Sequence, residues 1–216
     1  LRGVENTSGP LGQGHTFAVG AAIAAKFLAH RLGWVMSQTI YAYISDGGIQ
    51  EEISQGAGRI AGHLGLDNLI MYYDANNIQL STTVEEVDSE DVAAKYKAWG
   101  WHVIEIDGCC PEAIRKALRE AKATVGQPTL IIGKTIMGRG AVGPNGENYE
   151  NRVNTHGQPL SAAGASIEAT IKNLDGDPEA PFQIFPDVQE LYAARLQELR
   201  ELAKARKQEE KTWREE

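Results

Sequence analysis

Cysteine is scarce in this chain of 216 residues: only Cys109 and Cys110 occur, and they are neighbours. Adjacent residues do not easily reach disulfide geometry, so no cystine framework is expected and the composition fits a reducing compartment. No motif pairs either thiol with a histidine, which leaves both as small residues in a strand-to-helix turn before Pro111. Long hydrophobic runs are missing as well. The apolar stretches fall far short of the ~20 residues that cross a bilayer, so the chain reads as soluble and cytoplasmic, with no membrane partner. Nor is there a surplus of basic charge. The formal net charge of −8 argues against a nucleic-acid surface and leaves small anionic ligands in a local pocket. Internal repeats, low-complexity tracts, Walker loops, zinc spacings and serine nucleophile elbows are all absent. The chain opens on Leu1 without a signal-peptide pattern, and a glycine-rich loop follows by Gly9, which suggests a start inside a domain.

What is present is a strand and helix alternation, and a hydrophobic content of 42% is enough for one sizeable core. Apolar runs at Thr39–Ile44, Leu69–Tyr73, Trp101–Ile106 and Thr129–Ile132 read as strands. Helices are expected over Phe17–Leu32, Glu51–Leu64, Asp88–Trp99 and Pro111–Thr124. In the first of these, Phe17, Ala21, Ala24, Ala25 and Leu28 stand at the spacing of a buried face. The pattern gives an α/β fold, an open and mostly parallel sheet with helices on both faces. Lys134 to Pro159 reads as a long loop, Ala162–Leu174 as a helix, and Asp175 to Pro186 as a proline-punctuated connector. Val188–Trp213 reads as a long charged helix whose Leu191, Leu199 and Leu202 could dock on a neighbour. Residues 1–175 are thereby assigned to one ligand-binding domain, and 176–216 to a connector and terminal helix.

The chemistry gathers at two strand ends. Thr39–Ile44 stops at Ser45-Asp46-Gly47-Gly48, and Leu69–Tyr73 at Asp74-Ala75-Asn76-Asn77. One strand, a crossover helix and a second parallel strand carry both oxygen side chains to the same sheet edge. Neighbouring strands lie only ~5 Å apart. Asp46, Asn76 and the Ile78 carbonyl make a donor set suited to magnesium, which prefers oxygens and takes few from side chains when phosphates supply others. Gly47 lets a phosphate approach the backbone closely. Asp-Gly and Asn-Asn are each common turns, and it is their joint placement that points to a metal-bound diphosphate. Gly138-Arg139-Gly140-Ala141-Val142-Gly143 spells a dinucleotide fingerprint, yet Pro144-Asn145-Gly146 continues a loop where that fingerprint needs a helix. It reads as a flexible loop on the cofactor side.

Four motifs in order, Gly9-Pro10-Leu11-Gly12-Gln13-Gly14, Ser45-Asp46-Gly47, Tyr73-Asp74-Ala75-Asn76-Asn77-Ile78 and Thr155-His156-Gly157-Gln158-Pro159-Leu160, resemble the cofactor-binding half of transketolase. The resemblance runs from Gly3 to about Leu160, including Lys134-Thr135-Ile136-Met137-Gly138 and Tyr96 to Gly108. It implies a thiamine-diphosphate-binding fold, with thiamine diphosphate and Mg as cofactors and two-carbon ketol transfer from a ketose phosphate to an aldose phosphate. By the same resemblance Asp46, Asn76 and Ile78 ligate the metal, and Gly47 and Asn76 contact the cofactor. Gly9 and Leu11 face its rings. His156 stands near the diphosphate and donor sugar as a catalytic residue, with Lys134 beside the same pocket.

Glu51 matches a glutamate that links two cofactor sites across a dimer interface, whereas its acidic partner is replaced here by Gly56. The usual glycine before the aspartate is Ser45. In the family, a histidine-rich opening segment and a pyrimidine-binding domain, the latter from a homodimer mate or a partner chain, complete the site. The isolated chain is therefore expected to be inactive. Another thiamine-diphosphate enzyme (a 2-oxo-acid dehydrogenase component or a deoxyxylulose phosphate synthase), a nucleotide-binding module and a non-catalytic interaction domain remain the alternatives. His15, His30, His63 and His102 read as surface or helix-packing residues, and Trp99 and Trp101 as core.

Overall fold

The computed structural model describes residues 4–215; Leu1 and Gly3, the opening residue and the start of the resemblance, lie outside them. The apolar runs become four strands, β1 (Ile40–Ser45), β2 (Leu69–Ala75), β3 (His102–Asp107) and β4 (Thr129–Lys134), in one all-parallel sheet of order β1-β2-β4-β3. The two central strands are covered on both faces, which is why they read as continuous apolar runs. Leu69, Ile70, Met71, Leu130 and Ile131 are each no more than 2% exposed. On one face the core is shared with α1 (Gln13–Leu32), α3 (Glu52–His63) and α4 (Val92–Ala98). On the other it is shared with α5 (Pro111–Ala123), through Ala117 and Ala121. The expected α/β architecture with helices on both faces is the one observed.

Trp101 and Tyr96 anchor the first core: their rings meet edge to face at 5.1 Å, and Trp101 Nε1 donates to the Gly58 carbonyl at 2.8 Å. Glycine in α3 permits this approach, since a Cβ on Gly62 would stand 1.9 Å from the Trp99 carbonyl oxygen. Trp101 is a core residue and Trp99 packs, partly buried, against the same core, in line with the reading of this pair.

Several boundaries and faces differ from expectation. The α1 helix starts earlier, inside the glycine-rich loop, and buries His15, Ala18, Val19, Ala22 and Ala25 while Phe17 and Phe27 stay exposed. Alanine lies on every side of this helix, so its periodicity did not choose a face; the small stripe won because it packs closely on its neighbours. A short helix, α2 (Asp46–Gln50), follows β1 directly where only a turn was foreseen. Asp91 and Ser166 cap α4 and α6 (Ile167–Asn173), accepting from the Ala94 and Ala169 N–H groups, so both helices are shorter than their apolar patterns.

Gly138 and Gly140 have φ of 63° and 80°, and no helix opens at Gly143. The segment is pinned rather than flexible: Gly140 N donates to Glu150 at 2.7 Å, Val142 N to Thr170 at 3.1 Å, and Asn173 to the Gly140 carbonyl at 2.9 Å. The long α7 (Pro186–Glu215) leaves Leu191, Leu199 and Leu202 exposed. It is tied down by Trp213, whose Nε1 donates to the Leu32 carbonyl at 2.9 Å, and by Arg206, which bonds the Val35 carbonyl and lies over the Trp34 ring. The leucine stripe stays exposed in the isolated chain, where polar contacts hold α7 instead. No helix among the described residues is long and apolar enough to cross a membrane.

Candidate cofactor and metal site

All four strands finish at one rim, with Ser45 opposite Asp74, Ala75 opposite Lys134, and Asp107 opposite Lys134. Open parallel sheets bind ligands outside these carboxyl ends. Asp46 is the first residue beyond β1 and is 2% exposed. The Tyr73 hydroxyl donates to its Oδ1 at 2.6 Å, and the Asn76 N–H to its Oδ2 at 3.2 Å. Asn76 Oδ1 in turn accepts from the Ile78 N–H at 2.9 Å. Asp46, Asn76 and Ile78 are thus drawn together from two strand tips.

The electrostatics make this cluster unusual. Burial pushes the Asp46 carboxyl above its ordinary range, although the Tyr73 hydroxyl and the main-chain N–H groups of Asn76 and Asn77 pull the other way. Burial and then the Asp46 carboxylate hold the Tyr73 phenol well above its usual value, so it remains a donor. The hydrogen-bond donors around Asp46 among the described residues are neutral, and a buried carboxylate without a cationic partner is the environment that a divalent ion relieves. Asp74, one residue from the same rim, is already satisfied by the Tyr43 hydroxyl at 2.5 Å and by Thr135. Among the described residues no group of three or more His, Cys, Asp or Glu is arranged around a metal. The cluster brings together one carboxylate and one side-chain amide oxygen, and oxygens of this kind suit a cation that also takes phosphate oxygens.

The glycine-rich loop lies over this cluster. Gly12 has φ of 81°, and a Cβ there would meet Ile53, Glu51 and Ser54 at 2.6–2.9 Å. A Cβ on Gly47 would stand 3.1 Å from Leu11 Cδ1, so Leu11 covers Gly47. Leu11 itself is 51% exposed and Gly9 has open space around it, leaving one side of the loop free. His156 follows a short 3₁₀ turn at Val153–Thr155, and its buried Nδ1 has no partner among the described residues. The adjacent Gly157, with φ of 67°, faces Leu80 in the segment after Ile78. Lys134 is exposed at the tip of β4 and lines a shallow depression with Glu105, Ile106 and Asp107. No hydrogen bond or ion pair among the described residues joins it to Asp46.

Residues 1–216 match the family model of the transketolase thiamine diphosphate binding domain. The chain belongs to the transketolase family. It is 41% identical over 198 residues to transketolase 2 of Xanthobacter flavus, covering 89% of this chain and 28% of that protein. Transketolase 1 of Escherichia coli K12 is 41% identical over 187 residues, covering 84% of this chain and 27% of that protein. Among solved structures, transketolase from Leishmania mexicana superposes with a TM-score of 0.83 at 34% identity, covering 99% of this chain and 30% of that one. A Pichia stipitis transketolase variant in complex with fructose-6-phosphate gives 0.88 at 30% identity, covering 100% and 32%. The chain therefore spans less than a third of the length of these relatives.

Within this transketolase-family domain, the two departures have different consequences. Ser45 adopts φ −112° and ψ 177°, extended backbone open to any residue, so the missing glycine costs no strain. Gly56 has open space where a Cβ would be, and Glu51 is exposed. Sequence reasoning missed Tyr73 as a site residue, taking it only as the end of a strand. The signal was available: Leu69, Met71 and Tyr73 share one face by alternation, and Tyr73 pairs with Ile44, two residues before Asp46.

Proposed function

We propose that this chain is the thiamine diphosphate and Mg site of a transketolase that moves a two-carbon ketol unit between sugar phosphates. The observation that carries this reading is the convergence of Asp46 and Asn76 at one sheet rim, around a buried carboxylate without a cationic partner among the described residues. Asp46 and Asn76, with the Ile78 carbonyl, would hold the metal. Gly47 admits the diphosphate to the backbone, and Gly9 and Leu11 flank the rings. His156, with a free buried nitrogen, supplies a hydrogen bond to diphosphate or sugar oxygens; Lys134 adds positive charge at the rim. When bound, the cofactor supplies the electron sink for carbon–carbon cleavage and the metal offsets diphosphate charge. The protein's own part is to orient these groups and exclude water.

Sugar phosphate substrates are supported by the fructose-6-phosphate named in the complex of the Pichia stipitis relative. Completion by a homodimer mate or a partner chain, and inactivity of the chain alone, belong to the same reading, because the site is half open at Gly9 and Leu11. A cytoplasmic setting accords with the two free thiols. The experiment is a thermal-shift and calorimetric titration of the chain with thiamine diphosphate and Mg²⁺, separately and together. A melting rise that requires both is expected; no response to the pair would remove the cofactor assignment.

A further inference from the structure

We propose that Cys109 and Cys110 form a two-thiol site that binds a trivalent arsenical through both sulfurs. Asp107, Gly108, Cys109 and Cys110 make the turn from β3 into α5, at the same sheet rim as the Asp46 cluster but on the far edge strand, with β4 between β3 and β2. Every main-chain polar group of the two cysteines is used. Cys109 N donates to Asp107 Oδ1 at 2.8 Å and Cys110 N to the Asp107 carbonyl at 3.2 Å, while the Cys109 carbonyl accepts from Arg139 at 3.5 Å and the Cys110 carbonyl from Ile114 N at 3.1 Å. Gly108 seats the turn against the sheet: a Cβ there would stand 2.6–2.9 Å from Thr135, the Tyr72 hydroxyl and Gly133. The sulfurs, by contrast, are half-buried and, among the described residues, carry one weak contact, from Cys110 Sγ to Glu112 Oε2 at 3.8 Å. A fixed backbone thus presents two adjacent, uncommitted thiols.

The spacing selects what they can bind. Neighbouring Cα atoms lie about 3.8 Å apart across a trans peptide, below the roughly 4.4–6.8 Å that a disulfide spans, so direct closure is strained and the thiols stay reduced. One atom inserted between the sulfurs lengthens the bridge and removes that constraint. Zinc is the wrong atom: it favours four ligands in structural sites, and among the described residues no group of three or more His, Cys, Asp or Glu is arranged around a metal. An organic arsenic(III) oxide needs only two thiols, because its carbon substituent already fills the third position. Two arsenic–sulfur bonds form as the arsenic–oxygen bonding breaks, and the oxygen leaves as one water with both thiol protons. Arsenic stays trivalent, and nothing is oxidised or reduced.

The probe is phenylarsine oxide, titrated into the full chain and followed by intact-mass spectrometry. One phenylarsenic group per chain is expected, stable to excess glutathione, a monothiol, and stripped by dithiothreitol, a dithiol. Cys109→Ser and Cys110→Ser each leave one sulfur, and the apparent affinity should fall about a hundredfold or more, because the second bond in the unsubstituted chain is intramolecular. Both variants should fold, since the turn's hydrogen bonds are main-chain ones and Cys110 occupies the N-cap of α5, a position that serine favours. No adduct on the unsubstituted chain, or serine variants that bind as tightly as it does, overturns the proposal. Should either variant melt early, alkylation of the unsubstituted native chain by iodoacetamide decides: one bound arsenic that protects both cysteines supports the assignment, and one that leaves either cysteine open to alkylation refutes it.

Discussion

The main-chain N–H of Asn76 donates to Oδ2 of Asp46 at 3.2 Å, a bond that joins residues 30 apart in the chain across the tips of two adjacent strands. Because the donor is backbone, the Asp46 carboxylate is held against the Asn76 main chain, and the Asn76 side chain is placed separately by the Ile78 N–H on its Oδ1; the strand pairing itself, Ser45 opposite Asp74, uses neither side chain. Replacing either side chain should therefore harm the ligand set more than the fold. Asp46→Asn and Asn76→Ala should each weaken Mg²⁺-dependent cofactor binding by about tenfold or more, the scale of effect seen around metal sites. Calorimetry with and without the metal provides the measurement. Unaltered affinity in both variants would place the metal elsewhere.

His15 should make stability depend on pH. Both ring nitrogens are buried without partners among the described residues, and burial lowers its pKa from 6.5 to about 4. Between those values the unfolded chain binds the proton and the folded chain does not, so stability is full above pH 6.5 and declines as pH falls toward 4. The loss is at most about 3.5 kcal/mol, because each tenfold change in proton affinity corresponds to about 1.4 kcal/mol. His15→Leu removes both the titration and the unpaired polar atoms. Urea unfolding at pH 7 should show a gain of about 1–3 kcal/mol, and the loss on going to pH 5 should shrink. An identical acid slope in the variant would show that His15 is not the source.

Two glycines should respond in opposite directions. Gly12 combines φ of 81° with Ile53, Glu51 and Ser54 at 2.6–2.9 Å from any Cβ, so Gly12→Ala should cost about 1–3 kcal/mol and shift the loop that carries Leu11. Gly56 lies inside α3 with nothing within 4 Å of a Cβ. Gly56→Ala should accordingly stabilise by about 0.5–1 kcal/mol. Denaturant midpoints for the pair check both signs in one experiment, and a destabilised Gly56→Ala would mean that this face of α3 is already occupied.

The sheet and its rim were legible in sequence because their physics is local. Leu69–Tyr73 and Thr129–Ile132 are apolar at successive positions, as strands covered on both faces must be, and Asp46 and Asn76 follow directly from strands that the alternation with helices makes parallel. What depended on distant partners was not legible. The face of α1 is chosen by packing, and its alanines make two stripes equally apolar. The anchors of α7, Arg206 and Trp213, act on carbonyls of Val35 and Leu32 that lie 171 and 181 residues earlier in the chain, which no periodicity reports. Tyr73 was hidden for a related reason: its strand role and its bond to Asp46 use the same side chain, and only register reveals the second.

The stability of the scaffold and the competence of the site should be separable at Trp101. Its side chain is 2% exposed, meets Tyr96 edge to face at 5.1 Å, and donates to the Gly58 carbonyl at 2.8 Å, locking β3 to the middle of α3. At the N-terminal end of the same helix, Ser54 donates to the Gly48 carbonyl at 2.7 Å and lies under the Gly12 loop. Trp101→Phe removes the indole donor and leaves an underfilled pocket, for a cost of about 1–3 kcal/mol. In a chain of this size that lowers Tm by roughly 2–4 °C per kcal/mol. Because Ser54 and Gly48 keep their bond, cofactor affinity below the transition should stay within a factor of about three, less than about 1 kcal/mol. Calorimetric binding set beside thermal melting provides the comparison; a loss of affinity as large as the loss of stability would show that the loop's placement is governed by the packing behind α3 rather than by the contacts at its start.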